Sequence, residues 1–576
     1  MFYRGFLKLN ILAFFNALVI FLGLIQLINS LKLPWYLPVS PIPSGNIVKI
    51  SLITPEADLF LFITITLLIV PLTILTIIKT PKIIGELLGR IALILLVILV
   101  FIEFTSLIGW LLYPAYKRAS LTWLFITIET QLFYVFSYYS SKIFLLMVFS
   151  WILILVLRSF KSFSLKIGKM LVKLDVEDYA RRALKSKLLK PIILASFIIA
   201  ITLAFYPFLP SLNPSGKLVG VDMKYYLDGL RKALEKSPME ALTYFLWKAM
   251  GGSRPLYFIP NYFLCILGFN AEDVVKFQPL ILFPLTLLSI YLFAYEGLHD
   301  NRQSALVAIF TSTSFYVTVG MFAAFYANLF ALFFGFLSLM LLIRYLQGYG
   351  QNSQLKILLT SSFLLSLVIF IHPWTWGFFI AIIIIYPLFM LLMGASKEEF
   401  KRRIPPLSFL LLINFSTDAF KRFILHSLSG VEATYKASKV FLSLENLPKF
   451  WLNLMITFRS FSSGFYTNML LIGLAFIGVL LLILRRDKSD FSCILLSWLF
   501  LISILLPFAN HVAQPRIIFN LPIPILATIG LTTLLATINK LEEKTSKNHP
   551  TTTLLLILII LTNITYAFRC ITLNVY

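Results

Sequence analysis

The chain alternates long apolar runs with short polar turns, and many runs approach the roughly 20 residues that carry a helix across a bilayer. The first run, 6–28, lacks a small-residue cleavage site and reads as a signal anchor. Further spans are expected at about 58–78 and 88–113. Residues 120–140 are apolar but hold Glu129 and Gln131. A charge at mid-bilayer costs about 2.5–3.5 kcal/mol on insertion scales, so this stretch reads as interfacial or re-entrant. Residues 142–157 return inwards and 191–208 lead out again. The remaining spans are expected at about 277–297, 304–320, 328–346, 357–371, 374–393, 404–415, 465–484, 491–507, 517–538 and 552–568. The pattern predicts an all-α polytopic membrane protein with about 15 transmembrane helices and two long external loops, 209–275 and 416–464.

The first external loop has an internal pattern of its own. Met223, Tyr226, Leu227, Leu230 and Leu234 recur at helical spacing. Ser237-Pro238-Met239-Glu240 is a capping box with Pro at the first helical position. Gly251-Gly252 lets the chain leave that helix with positive φ. Amphipathic helices of this kind lie in the interface plane. Residues 256–268 are too short to span and read as a juxtamembrane helix ending at Gly268.

Composition sharpens the class. Hydrophobic residues make up 59% of the 576 and charged residues 13%, against about 25% in soluble domains. Mean hydropathy is +0.90. The net charge of +24 does not point to nucleic acid, because the basic residues cluster in short loops. That is the positive-inside pattern, with the anionic bilayer surface as partner. Residues 158–190 carry ten Lys or Arg against three acids, the strongest inside signal. They divide the chain into an N-terminal membrane region of about four spans (1–157), a basic cytoplasmic linker (158–190) and a membrane domain (191–576). The N-terminus is expected in the cytoplasm, the C-terminus outside, and the plasma membrane as the location. Cys265, Cys493 and Cys570 are too scattered for a disulfide or zinc framework. Abundant Ile, Leu and Lys fit an archaeal-like, thermophilic composition.

This topology brings Asp222, Arg254, His372, His511 and Arg516 to one face. A carboxylate can deprotonate a hydroxyl nucleophile within hydrogen-bond reach. Arginine binds phosphate bidentately and keeps its charge. Plainer readings exist for each. A lone Asp after Gly220-Val221 is more often a turn former or helix N-cap. Arg516 at the start of a span can be a snorkelling anchor. His372 before Pro373 is more often a packed or capping residue. Asp228 falls on another helix face than Asp222. No His, Cys and carboxylate cluster has metal-ligand spacing, and no phosphate loop or nucleophile elbow is present.

Four stretches carry a resemblance: Gly220-Val221-Asp222-Met223-Lys224-Tyr225-Tyr226 early in the outer loop; Arg254-Pro255-Leu256-Tyr257-Phe258 before the juxtamembrane helix; 271–295 through Tyr326-Ala327-Asn328-Leu329; and Gln514-Pro515-Arg516 through Pro522. From residue 191 onwards the chain resembles the C-type glycosyltransferase superfamily (GT-C), polytopic enzymes that use polyprenyl-linked sugar donors. The resemblance implies a GT-C-like core with Asp222 as general base and Arg516 and Arg254 on the donor phosphate. His372, His511, Tyr225 and Tyr257 would be candidates for lining the same pocket. It implies sugar transfer from a polyprenyl- or dolichyl-phosphate donor at the outer face, with inversion; the acceptor is unspecified. The first outer loop lacks the family's Asp-x-Asp pair, which leaves a divalent metal cofactor open. The Trp-Trp-Asp motif of oligosaccharyltransferases is also absent, and no sizeable soluble domain follows the last span. Two other readings compete: a lipid-linked-saccharide flippase or transporter, whose binding groups belong near the bilayer midplane, and an inactive GT-C-like scaffold.

Overall fold

The computed structural model describes residues 189–348, 354–447, 449–450, 453, 457, 469–485, 489–542 and 550–575, all within one compact unit. The N-terminal region 1–157, Glu129 and nearly all of the 158–190 linker lie outside the described residues.

The described chain opens with α1 (Leu189–Phe205), apolar along its length after Lys190. Four short helices follow: α2 (Met223–Leu234), α3 (Pro238–Trp247), α4 (Pro255–Ile266) and α5 (Ala271–Phe277). A first set of bundle helices then comprises α6 (Pro279–Leu298), α7 (Asn301–Thr313), α8 (Phe315–Ala323) and α9 (Tyr326–Leu346). Next come α10 (Gln354–Ile371), α11 (Pro373–Leu392) and α12 (Lys397–Phe423). After α13 (Gly430–Phe441) the chain continues through α14 (Met469–Arg485), α15 (Asp490–Leu505), α16 (Ala513–Phe519), α17 (Ile523–Glu542) and α18 (Pro550–Val575). Among the described residues there is no β-strand, only an isolated bridge between Leu442 and Ala509.

Among the described residues, seven helical stretches are long and apolar enough to cross a membrane, or eight if the bent pair α16–α17 is one span. The protein is therefore a multi-pass helical membrane protein. Of the about 15 spans expected, those before residue 189 lie outside the described residues. The expected spans 404–415 and 552–568 are helical, as α12 and α18, and the described part of 465–484 is helical from Met469 in α14; none of the three meets the length and hydropathy of a full span.

Packing follows from side-chain size. α6 lies against α7 and α9, α9 against α10, and α11 against α15. α14 and α17 approach at Gly478 and Gly530, where a Cβ on either would collide with the other helix's backbone carbonyl. Small residues at such crossings allow close van der Waals contact, the main attraction between helices in lipid.

The amphipathic stretch of the first loop folds into the expected helices, although Leu234, the last residue of the apolar pattern, is exposed. In α2, Met223, Tyr226, Leu227 and Leu230 are buried, and Asp228 is exposed. The Glu240 carboxylate accepts from the Ser237 N–H at 3.0 Å and its hydroxyl at 2.8 Å, starting α3. α4 ends at Ile266, and Gly268 turns the chain at φ +102°.

Three boundaries differ from expectation. The stretch 304–320 is two helices, because Ser314 leaves helical geometry and its hydroxyl accepts from Tyr316 N–H at 3.3 Å. The expected span 517–538 is bent by 54° between Phe519 and Ile523, beside Pro522. α12 runs to Phe423, past residue 415 where the expected span ends.

The two ends of the bundle carry different chemistry. The turns with Asp300 and Arg302, Arg344, Arg403 and Asp490 share one end. There Arg403 donates to Asp490 at 2.6 and 3.2 Å, and the Tyr386 hydroxyl donates to the same carboxylate at 2.5 Å. The turns at 206–222, 324–325, 372 and 506–516 share the opposite end.

Candidate functional site

Asp222 is placed by a loop fastened at both sides. Upstream, Asn213 exchanges hydrogen bonds with the Lys217 backbone at 2.8 and 3.0 Å, closing a turn through Gly216 at φ +61°. Downstream, the Val221 and Asp222 N–H groups donate to the Phe322 and Ala323 carbonyls at the end of α8. Gly220 makes this docking fit: a Cβ there would stand 2.6 Å from Ala324 Cβ and 2.9 Å from the Met321 carbonyl oxygen.

Asp222 occupies the N-cap position of α2, yet its side chain makes no capping hydrogen bond. Among the described residues the carboxylate has no ion pair within 4.0 Å. It is half-buried. Burial pushes its pKa above the ordinary 3.8, against the pull of Arg516, Arg254 and Lys224.

Arg254 begins α4 and donates from Nη1 to the Tyr226 hydroxyl at 2.9 Å, its guanidinium 5.9 Å from that ring. Tyr226 sits four residues after Asp222, on the same helix face. Its ring lies 4.5 Å from Tyr257 and 6.1 Å from Tyr326. Tyr257 is buried behind it and donates to Gln278 Oε1 at 2.5 Å. Burial raises both phenols above their ordinary range, so they are protonated donors at neutral pH.

Arg516 comes from the middle of α16. Its guanidinium lies between two rings, 5.4 Å from Phe325 and 5.8 Å from Phe441, and donates to the Val512 carbonyl at 2.8 Å. Flat aromatic faces fix the plane of the fork.

His372 is buried and caps α11: its Nδ1 accepts from the Thr375 N–H at 3.3 Å and lies 2.7 Å from the Thr375 hydroxyl. That hydroxyl is 3.0 Å from Asn328 Oδ1. Burial first, then the fields of Arg254 and Arg516, hold the imidazole well below its usual range. It is neutral at pH 7.

Asp222, Arg254, His372 and Arg516 therefore come to the same end of the bundle and act on one another electrostatically. Tyr225 and His511 are also at this end but exposed; Lys224 stands 5.1 Å over the Tyr225 ring. Tyr226, Tyr326, Thr375, Asn328, Phe325 and Phe441 complete the cluster without having been singled out from the sequence. The signal for Tyr226 was present, as the residue one turn after the acid. Among the described residues no group of three His, Cys, Asp or Glu could hold a metal ion.

Such a cluster offers a proton acceptor, two fixed guanidinium groups and neutral hydrogen-bond donors on a largely aromatic wall. Those are the groups needed to activate a hydroxyl beside an anionic leaving group. No protein-family model matches the chain, and no curated protein matches it.

Proposed function

We propose that the protein is a GT-C-like membrane glycosyltransferase that moves a sugar from a polyprenyl- or dolichyl-phosphate donor to an acceptor at the outer face of the membrane, with inversion. The observation that carries this reading is the uncapped, half-buried Asp222 carboxylate facing two arginines delivered from distant parts of the chain.

In this reaction the Asp222 carboxylate takes the proton of the acceptor hydroxyl. The acceptor oxygen forms a bond to the anomeric carbon as the bond from that carbon to the phosphate oxygen breaks. The electron pair leaves with the polyprenyl phosphate, whose charge Arg516 and Arg254 bind. His372 and the phenols supply neutral hydrogen bonds. The location of the charged cluster at one end of the bundle, away from the midplane, favours the enzyme over a transporter.

The test is sugar release from a panel of labelled polyprenyl-phosphate hexoses by protein in lipid nanodiscs. Asp222→Asn should insert normally and turn over about 10²–10⁴-fold more slowly. Equal turnover by that variant would remove Asp222 as base.

A further inference from the structure

The last turn of α12 holds Lys421, whose side chain is fully buried at 0% exposure. Its Nζ donates to the Ile369 carbonyl at 3.2 Å, reaches the Ser253 carbonyl at 3.5 Å and lies 5.3 Å from the Phe370 ring. Ser253 is the residue immediately before Arg254, and Ile369 lies one turn before His372. A single amine thus ties together the two backbone segments that deliver Arg254 and His372. A buried amine is costly unless its donors are used, so contacts with two main-chain carbonyls suit a structural tie.

The surrounding turn needs such a tie. Between α3 and α4 the chain passes through three consecutive left-handed residues, Met250 (φ +47°), Gly251 (φ +68°) and Gly252 (φ +69°). A non-glycine residue at positive φ is strained, and surrounding contacts must hold it. Those contacts come from the end of α12. Ser427 Oγ lies 2.7 Å from the Leu246 carbonyl and 3.0 Å from that of Gly252, and Trp247 Nε1 donates to the Leu425 carbonyl at 2.7 Å. One turn before Lys421, the Asp418 carboxylate accepts from the Gly430 and Val431 N–H groups and anchors α13. That helix ends at Phe441, one of the two rings beside Arg516.

We infer that Lys421 is a positioning residue of the proposed donor site: its amine fixes the Ser253 carbonyl and thereby aims the Arg254 guanidinium at the donor phosphate. The inference rests on the reading of Arg254 as a phosphate contact.

Lys421→Met removes the donors and keeps the chain length. In nanodiscs, amide exchange across 249–258 should accelerate about tenfold relative to the wild type, with α9 unchanged. Polyprenyl phosphate should bind about tenfold more weakly, the scale of one lost charged hydrogen bond. Lys421→Arg should restore both. In an Arg254→Gln background, Lys421→Met should cause no further loss of binding, a non-additivity that general destabilisation would not produce. Unchanged exchange at 249–258, or losses that add, overturns the positioning role. Where the Met variant fails to insert, Lys421→Gln takes the same readings. Equal polyprenyl phosphate binding by wild type and Arg254→Gln overturns the donor reading instead; the exchange measurement then decides the fate of Lys421 by itself.

Discussion

Asp222 sits where an N-cap belongs and does not cap. A carboxyl whose folded pKa is raised stabilises the fold only when protonated; that contribution is complete below the ordinary value and lost as pH rises through the raised one. At neutral pH the ionised Asp222 is therefore a cost, and Asp222→Asn should melt no lower than the wild type by scanning calorimetry. The same shift sets the acid limb of the activity profile. Rate should fall as pH drops through a value above 3.8. Arg516 is the strongest charge opposing the rise, so Arg516→Gln should move that limb to higher pH. A limb left in place would mean that Arg516 does not act on the base. These charged residues were legible in the chain because charges are rare in an apolar background. Thr375 was not, since a neutral side chain in a helix looks the same whether it packs or binds.

Among the elements, the docking of the Asp222 loop on the end of α8 is the most sensitive joint. Gly220→Ala places a methyl against Ala324 and the Met321 carbonyl, so the start of α2 must shift. A displacement near 1 Å can cost about 10²-fold in rate. The expected result is a folded protein with that loss; a rate within twofold of wild type would show that the loop tolerates the shift. α12 teaches how far the pattern of apolar runs can be trusted. Its apolar middle was visible, but the helix continues through Asp418 and Lys421, which look like the start of a loop. They stay helical because distant partners use them: the amides of α13 and the carbonyls of Ser253 and Ile369. The break at Ser314 had a local sign in the run Thr311-Ser312-Thr313-Ser314, whose hydroxyls lie 2.7–3.0 Å from carbonyls three or four residues back. Such back-bonding bends helices.

Among the described residues, the end opposite Asp222 is held by a buried ion pair. Asp490 is 5% exposed and joins α15 to Arg403 of α12 and Tyr386 of α11. Asp490→Ala removes the carboxylate that pairs the part-buried Arg403 guanidinium and accepts from Tyr386, a destabilising loss. The thermal midpoint should drop sharply while turnover per folded molecule stays unchanged; the reverse outcome would link this end to the reaction. The class of the molecule, its helical nature and the separation of basic turns from Asp222 were all readable from hydropathy and charge. The bend between α16 and α17 was not, because Asn520-Leu521-Pro522 lies within an otherwise apolar run.

Arg516 enters the chain long after Asp222, and that order has a consequence for biosynthesis. At about 5–20 residues per second, the ribosome needs roughly 15–60 s to add the 294 residues from Met223 to Arg516. Throughout that interval the inserted part of the protein displays the Asp222 carboxylate without the second arginine. The nascent chain therefore meets the lipid pool with its charged cluster incomplete, and the cluster closes only when α16 is seated.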